Sequence, residues 1–347
     1  MIENKKTGLT LLFCISLLAL TGMACRVSAD WLPWVKNESE PLAEIEPTPT
    51  SQLSATPLFV EETPMPETQK ESRPFDPALL GTVQRDITYC TLDGVDLLMD
   101  IHYPDSISGP TPVAMYVHGG GWSGGDKASG AGTFLFKYLT RSGYLVASVN
   151  YRLAPEHQFP AMTEDVKCAV RYLRANARTY NIDTHHIGVF GGSAGGHLVA
   201  LMGLTDTSAG FDVGPYLEQS SQVQAVVDMF GPTDLTIDFP GAENGIIHRV
   251  FGTTDRDSDL LINASPVTYV SRDDAPFLIL HGSEDQLVPV SQSELLNRAL
   301  LDVGVESQLV VVQNAGHGFA VEGGEIDPDR RELGRMILDF FDKHLKG

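Results

Sequence analysis

From about Gly81 onward, short unbroken apolar runs alternate with longer stretches whose apolar positions recur every three or four residues. Buried strands give the first pattern and amphipathic helices the second. Arg85–Thr91 and Val95–Tyr103 read as strands joined by Asp93-Gly94, a hairpin turn pair. Val113–Val117 and Leu145–Val149 are short apolar runs, separated by a helix expected over 133–142 that stops at Gly143. Ala161–Thr179 reads as a long amphipathic helix, with Val166, Ala169, Val170 and Leu173 on one stripe. The strand Ile187–Phe190 and the helix His197–Leu204 follow, then strands at Val223–Phe230 and Pro276–Leu280. The helix Val290–Val303, the strand Ser307–Val312 and a helix over Pro328–Leu345 complete the series. Strands alternating with helices predict an α/β protein: a mostly parallel sheet with helices on both faces and an antiparallel hairpin at one edge. One irregular insert, between Phe230 and Pro276, interrupts the alternation.

The N-terminal part follows neither pattern. Lys5 and Lys6 precede an apolar run, Leu9–Leu20, which is the layout of a secretory signal peptide. Val27-Ser28-Ala29 offers small residues for cleavage, so 1–29 is expected to be removed and Asp30 to start the mature chain. Leu20–Cys25 also resembles a bacterial lipobox, with Gly22 where an aliphatic residue is usual. Lipidation of Cys25, and with it a membrane tether, is the alternative. Either exit predicts an exported protein, secreted or at the cell surface. Residues 30–80 are expected to be a linker or a trimmed pro-segment: nine prolines lie from Trp31 to Pro77, among many Thr, Ser and Glu. Such composition buries too little apolar surface to offset the entropy of ordering. The folded domain is therefore expected over 81–347. Of the four cysteines, Cys14 leaves with the signal and Cys25 leaves or carries lipid. Cys90 and Cys168 are expected to be free buried thiols, with a disulfide as the alternative that export would permit.

The chemistry centres on Gly191-Gly192-Ser193-Ala194-Gly195-Gly196, which stands between a strand and a helix. That is the setting a G-x-S-x-G nucleophile needs: a turn so tight that only small neighbours fit beside the serine. A serine reacts only when a base takes its proton, and a histidine base needs an acid to hold its tautomer. Asp285 and His317 both lie just past buried strands, where an open parallel sheet gathers its functional groups. Glu284 is the competing acid. His118-Gly119-Gly120-Gly121 follows an early strand. The N–H groups of Gly120 and Gly121, with that of Ala194, are the expected oxyanion donors. Trp122, next to them, is assigned to substrate binding. No His/Cys cluster has ligand spacing, and His185-His186 puts neighbours on opposite faces of a strand. No metal or other cofactor is expected, and activity is expected to survive a chelator.

These motifs, together with Tyr151-Arg152-Leu153-Ala154-Pro155, His281-Gly282-Ser283-Glu284-Asp285 and Gly316-His317-Gly318, carry a family resemblance. From about residue 81 to the end, the chain resembles α/β-hydrolase esterases and lipases of the hormone-sensitive-lipase type. It also resembles the related cap-poor feruloyl and acetyl-xylan esterase-like group. The resemblance implies an α/β-hydrolase fold, a Ser193, Asp285, His317 triad and hydrolysis of carboxylic esters, while Ile246, Ile247, Val250 and Phe251 at roughly helical spacing in the insert predict one short lid helix. It also implies that His118 and Tyr151–Pro155 are structural supports. One departure is that the place of the N-terminal cap helices is taken here by the proline-rich stretch. The competing functions are a peptidase or amidase on the same scaffold, and a non-catalytic binding module. Peptidase members carry an extra domain for which 81–347 leaves no room, and dead relatives lack a triad member. The expected substrate is a small-molecule or polysaccharide-linked ester with a short acyl or aryl-acid group. Twenty-four basic against 45 acidic residues, a formal charge of −21, speak against a nucleic-acid partner.

Overall fold

The computed structural model describes residues 74–347. The expected signal peptide, Cys25 and most of the 30–80 linker lie outside the described residues. The described chain folds around one eight-stranded sheet. Its strands are β1 (Val83–Leu92), β2 (Val95–His102), β3 (Thr111–Val117), β4 (Leu145–Val149), β5 (Ile182–Gly192), β6 (Ala225–Met229), β7 (Phe277–Gly282) and β8 (Ser307–Val312). They lie side by side in the order β1-β2-β4-β3-β5-β6-β7-β8. β1 and β2 pair antiparallel, as does β2 with β4, and every later pair is parallel. The central strands are apolar on both sides because helices cover both faces. Along β3, Val113, Met115 and Val117 enter one core while Ala114 and Tyr116 enter the other.

The helices divide accordingly. α1 (Phe136–Arg141) and α8 (Arg330–Leu345) cover one face through Leu139, Leu333, Ile337 and Phe341. α2 (Ala161–Ala175), α4 (Ala194–Leu204), α5 (Asn244–Phe251) and α7 (Ser291–Val303) cover the other through Val166, Leu198, Ile247 and Leu296. The short helices α3 (Ala177–Tyr180) and α6 (Asp259–Ala264) sit between these. Local chemistry sets the ends: Asp329 Oδ1 accepts the Glu332 N–H to start α8, and Gly304 at φ 88° ends α7.

Three readings of the sequence need correcting. Cys90 and Cys168 are joined in a disulfide and are not free thiols. Cys90 faces inward from the edge hairpin, and α2 crosses behind that hairpin with Cys168 on its buried stripe, so the two Cα atoms stand 6.5 Å apart. Ordered structure also begins before Gly81. Asp76 caps a 3₁₀ turn at Pro77–Leu79, and Phe75 lies 5.9 Å from the Tyr103 ring. A proline at the first helical position and two apolar side chains with a core to meet suffice to order the end of a proline-rich stretch. The helix expected over 161–179 is two helices, because its backbone turns at Asn176.

Candidate active site

β5 and α4 meet at Ser193, which stands at φ 58° and ψ −122°. A non-glycine residue persists in that strained region only where its surroundings fix it. Here they do. The Ser193 N–H donates to the Met229 carbonyl at 2.9 Å, and the Ser193 carbonyl accepts the His197 N–H at 3.0 Å as the first bond of α4. The turn has no room for side chains: a Cβ on Gly195 would stand 2.2 Å from the Val117 carbonyl oxygen. The result is a serine hydroxyl raised above the carboxyl ends of the strands, at a helix N-terminus.

His317 Nε2 lies 3.0 Å from Ser193 Oγ, and His317 Nδ1 lies 2.7 Å from Asp285 Oδ2. The three side chains come from the loops after β5, β7 and β8, as their places in the sequence suggest. Glu284 is exposed, with Ser283 Oγ donating to it at 3.1 Å, so Asp285 is the acid brought to His317. Asp285 Oδ1 accepts the N–H groups of Leu287 and Val288, each at 2.9 Å. Burial pushes the Asp285 carboxyl up, but the imidazole N–H groups of His281 and His317 beside it outweigh this and hold it well below the usual carboxylate range. It is a fixed negative charge that keeps a proton on His317 Nδ1, leaving Nε2 free to accept from the serine. The Phe230 ring stands edge-on to the imidazole, 4.9 Å between centroids, and limits its tilt.

The His118–Gly121 loop presses on the nucleophile turn. A Cβ on Gly119 would come within 2.6 Å of the Gly192 carbonyl oxygen and 3.3 Å of Ser193 Cβ. Beyond it Gly120 and Gly121 both take positive φ, 122° and 59°, which turns the backbone without placing a side chain over the serine. The Ala194 N–H opens α4 and so has no partner one turn back. His118 anchors the loop from below: its Nδ1 meets the Gly119 carbonyl at 2.7 Å, and its ring stacks on Tyr151 at 4.3 Å. Tyr151 in turn donates its hydroxyl to the His118 carbonyl at 3.0 Å. Arg152 is buried among Asp165, Glu164 and Asp93. His118 and Tyr151 thus hold the loop, while Arg152 ties the stretch after β4 to α2 and to the β1–β2 turn.

Trp122 is placed otherwise than expected. Its side chain is buried, its Nε1–H donates to His197 Nδ1 at 3.1 Å, and its ring meets Phe251 edge-on at 5.5 Å. It is a brace between the His118–Gly121 loop, α4 and the insert, with no open face for substrate. His197 completes the brace by donating from Nε2 to the Ala264 carbonyl at 2.7 Å. Two groups the sequence reading passed over lie behind the acid. His281 is buried on β7, and Asp228 is buried on β6 with Oδ2 unpartnered. Each stands within an otherwise apolar strand, where sequence alone does not tell a hydrogen-bonded polar group from any other.

The comparisons with known proteins agree with this fold. Residues 99–300 match the BD-FAE family model. Esterase LipC of Mycobacterium tuberculosis (strain ATCC 25618 / H37Rv) is 34% identical over 241 residues, 66% of this chain and 58% of LipC. The chain thus spans little more than half the length of that relative. Among solved structures, a truncated carbohydrate esterase from gut microbiota superposes with a TM-score of 0.65 at 27% identity, covering 79% of this chain and 100% of that one. The propionate-bound esterase Est2 of Thermogutta terrifontis does so with a TM-score of 0.63 at 25% identity, covering 77% and 95%. On the strength of a family match that spans the His118–Gly121 loop, the nucleophile turn and the loop bearing the acid, the chain belongs to the BD-FAE family.

Proposed function

We propose that this protein is a serine carboxylic-ester hydrolase that works through an acyl-enzyme on short-acyl or aryl-acid esters of a soluble or polysaccharide alcohol. The observation that carries the reading is the hydrogen-bonded series Ser193–His317–Asp285 at a strained strand-to-helix turn. In the first half-reaction Ser193 Oγ bonds to the ester carbonyl carbon as its proton passes to His317 Nε2. The carbonyl oxygen becomes an oxyanion facing the N–H groups of Gly120, Gly121 and Ala194. When the tetrahedral centre collapses, the bond to the alcohol oxygen breaks and His317 returns the proton to that leaving group. Water then attacks the acyl-enzyme, giving its proton to His317, and Ser193 Oγ departs with that proton as the acid is released. Asp285 stays ionised throughout and orients the imidazole.

Esterase names among the relatives, and the carboxylate bound in the Thermogutta terrifontis structure, support the substrate class. The disulfide between Cys90 and Cys168 supports export, since such bonds persist in oxidising compartments. Mass spectrometry of the mature N-terminus distinguishes a chain starting at Asp30 from one starting at a lipidated Cys25. An intact Met1 on cytosolic protein would oppose export altogether. The mechanism is tested with a serine-reactive phosphonate. Wild type should be labelled and Ser193→Ala should not, with a rate loss on the order of 10⁶-fold. Equal labelling of both proteins would sink the assignment.

A further inference from the structure

We infer that His281 and Ser293 are positioning residues for the triad: held by Ser293, the His281 imidazole presents an N–H beside the Asp285 oxygen that receives His317, and so sets how basic His317 is. This rests on the triad reading above. His281 Nε2 lies 2.7 Å from the Val288 carbonyl oxygen and 3.5 Å from Asp285 Oδ2. Both are acceptors only, so Nε2 carries the proton. Nδ1 is then the acceptor, and Ser293 Oγ, 2.7 Å away at the start of α7, donates to it. All three groups are buried, and each ring nitrogen has a partner.

The arrangement has two consequences. It closes the 285–288 turn from behind: Asp285 Oδ1 accepts the Leu287 and Val288 N–H groups while the Val288 carbonyl is held by His281. It also gives Asp285 Oδ2 two neighbours with N–H groups, His317 at 2.7 Å and His281 at 3.5 Å. The second shares the carboxylate's charge and leaves less of it to stabilise a His317 imidazolium. Ser293, by donating to Nδ1, makes the Nε2–H a stronger donor. Charged groups near His281 come from three elements. Asp285 and the exposed Glu284 lie on its own loop, the exposed Glu294 on α7, and Asp228 on β6. Asp228 Oδ1 accepts the Gly231 N–H at 3.0 Å, and His281 acts electrostatically on this carboxyl as well. On β8 the register partner of His281 is the apolar Val311.

The sign follows. Without the His281 N–H, Asp285 holds its charge in a poorer setting, stabilises imidazolium better and raises the apparent pKa of His317. The experiment is the pH profile of kcat/KM on p-nitrophenyl butyrate for phosphonate-titrated enzyme. His281→Leu should move the acidic limb to higher pH by about half a unit to one unit. Ser293→Ala should move it the same way by less, and because it deletes a single oxygen it keeps the test alive if His281→Leu does not fold. His281→Gln, which keeps a side-chain N–H, should restore the limb toward wild type. A lower kcat with an unmoved limb in both Ser293→Ala and a folded His281→Leu overturns the inference, because a merely structural role predicts that result. So does a limb that disappears in Asp228→Asn, which assigns it to that carboxyl. Failure of the triad reading itself is seen separately, as a Ser193→Ala protein that still takes the phosphonate.

Discussion

His197 states most plainly what a single residue contributes here. It is fully buried at the first turn of α4, accepting from Trp122 and donating to Ala264. Burial pushes its pKa down, the Ala264 carbonyl offsets only part of this, and the result is about 4. In the unfolded chain the same imidazole titrates near 6.5. Between those values the unfolded state binds the proton and the folded state does not, so stability is complete above pH 6.5 and is lost as pH falls toward 4. The difference amounts to about 3 kcal/mol at most. Wild type should therefore lose melting temperature between pH 6.5 and 4. His197→Asn should be less stable at pH 7 and show a flatter profile across that window. A wild-type profile as flat as the variant's would mean that the buried imidazole does not control this loss. Ser193, Asp285 and His317 were legible as candidates only jointly: a polar residue after an apolar run is often a turn former or an exposed loop residue, and it is the recurrence at three strand ends that singles these out. His197 and His281 were not, because a histidine inside or closing an apolar run looks the same in sequence whether or not it is hydrogen-bonded. Trp122 was misread for a related reason: nearby Gly119 lies against the serine turn, but the Trp122 ring is buried against His197 and Phe251.

At the scale of elements, the sheet and most helices follow directly from the apolar pattern, and the errors fall where two distant elements meet. β1 and β2 are an edge hairpin, and in sequence nothing says which helix lies behind it. The Cys90–Cys168 bond answers that by tying β1 to α2 across a sequence separation of 78 residues. Closing so long a loop restricts the unfolded chain considerably, and removing such a bond typically costs about 2–4 kcal/mol. Cys90→Ala/Cys168→Ala should lower the urea midpoint accordingly, and dithiothreitol should do the same to wild type but not to the double variant. Since neither cysteine approaches Ser193, kcat/KM at low temperature should barely change. A double variant as stable as wild type would mean that α2 packing alone holds the hairpin. The order at Phe75–Leu79 belongs to the same class of miss, since the apolar partner that fixes it, Tyr103, lies a strand away.

For the molecule as a whole, the question the fold decides is how long an acyl chain the cleft can hold. Each CH₂ of an acyl chain gains about 0.8 kcal/mol only if the protein offers apolar surface to cover it. Among the described residues the segment placed to do so is the insert between β6 and β7. Its pieces are short: 3₁₀ turns at Pro240–Ala242 and Pro266–Tyr269, the eight-residue α5 and the six-residue α6. The apolar spacing Ile246, Ile247, Val250, Phe251 predicts one small lid helix, and α5 is that helix. Its apolar side, however, is already committed. Ile247, Val250 and Phe251 are buried in the main core, with Phe251 5.5 Å from Trp122 and 5.7 Å from Phe159. What the insert turns outward is mixed: the acidic Asp238, Glu243, Asp255, Asp257 and Asp259 stand among polar and basic residues, with Ile237 and Ile262 as isolated apolar side chains. A helix whose apolar stripe is anchored to Trp122 and Phe159 cannot also line a channel for a fatty acyl chain. It packs through Phe251 on Trp122, the residue that follows the His118–Gly121 loop. On a p-nitrophenyl ester series from two to sixteen carbons, kcat/KM should peak at two to four carbons and fall beyond six. Phe251→Ala, by loosening the brace behind Trp122, should lower kcat for every ester in the series without moving the peak. A peak at twelve carbons or more would require an apolar channel and would show that α5 swings away from its place in the core.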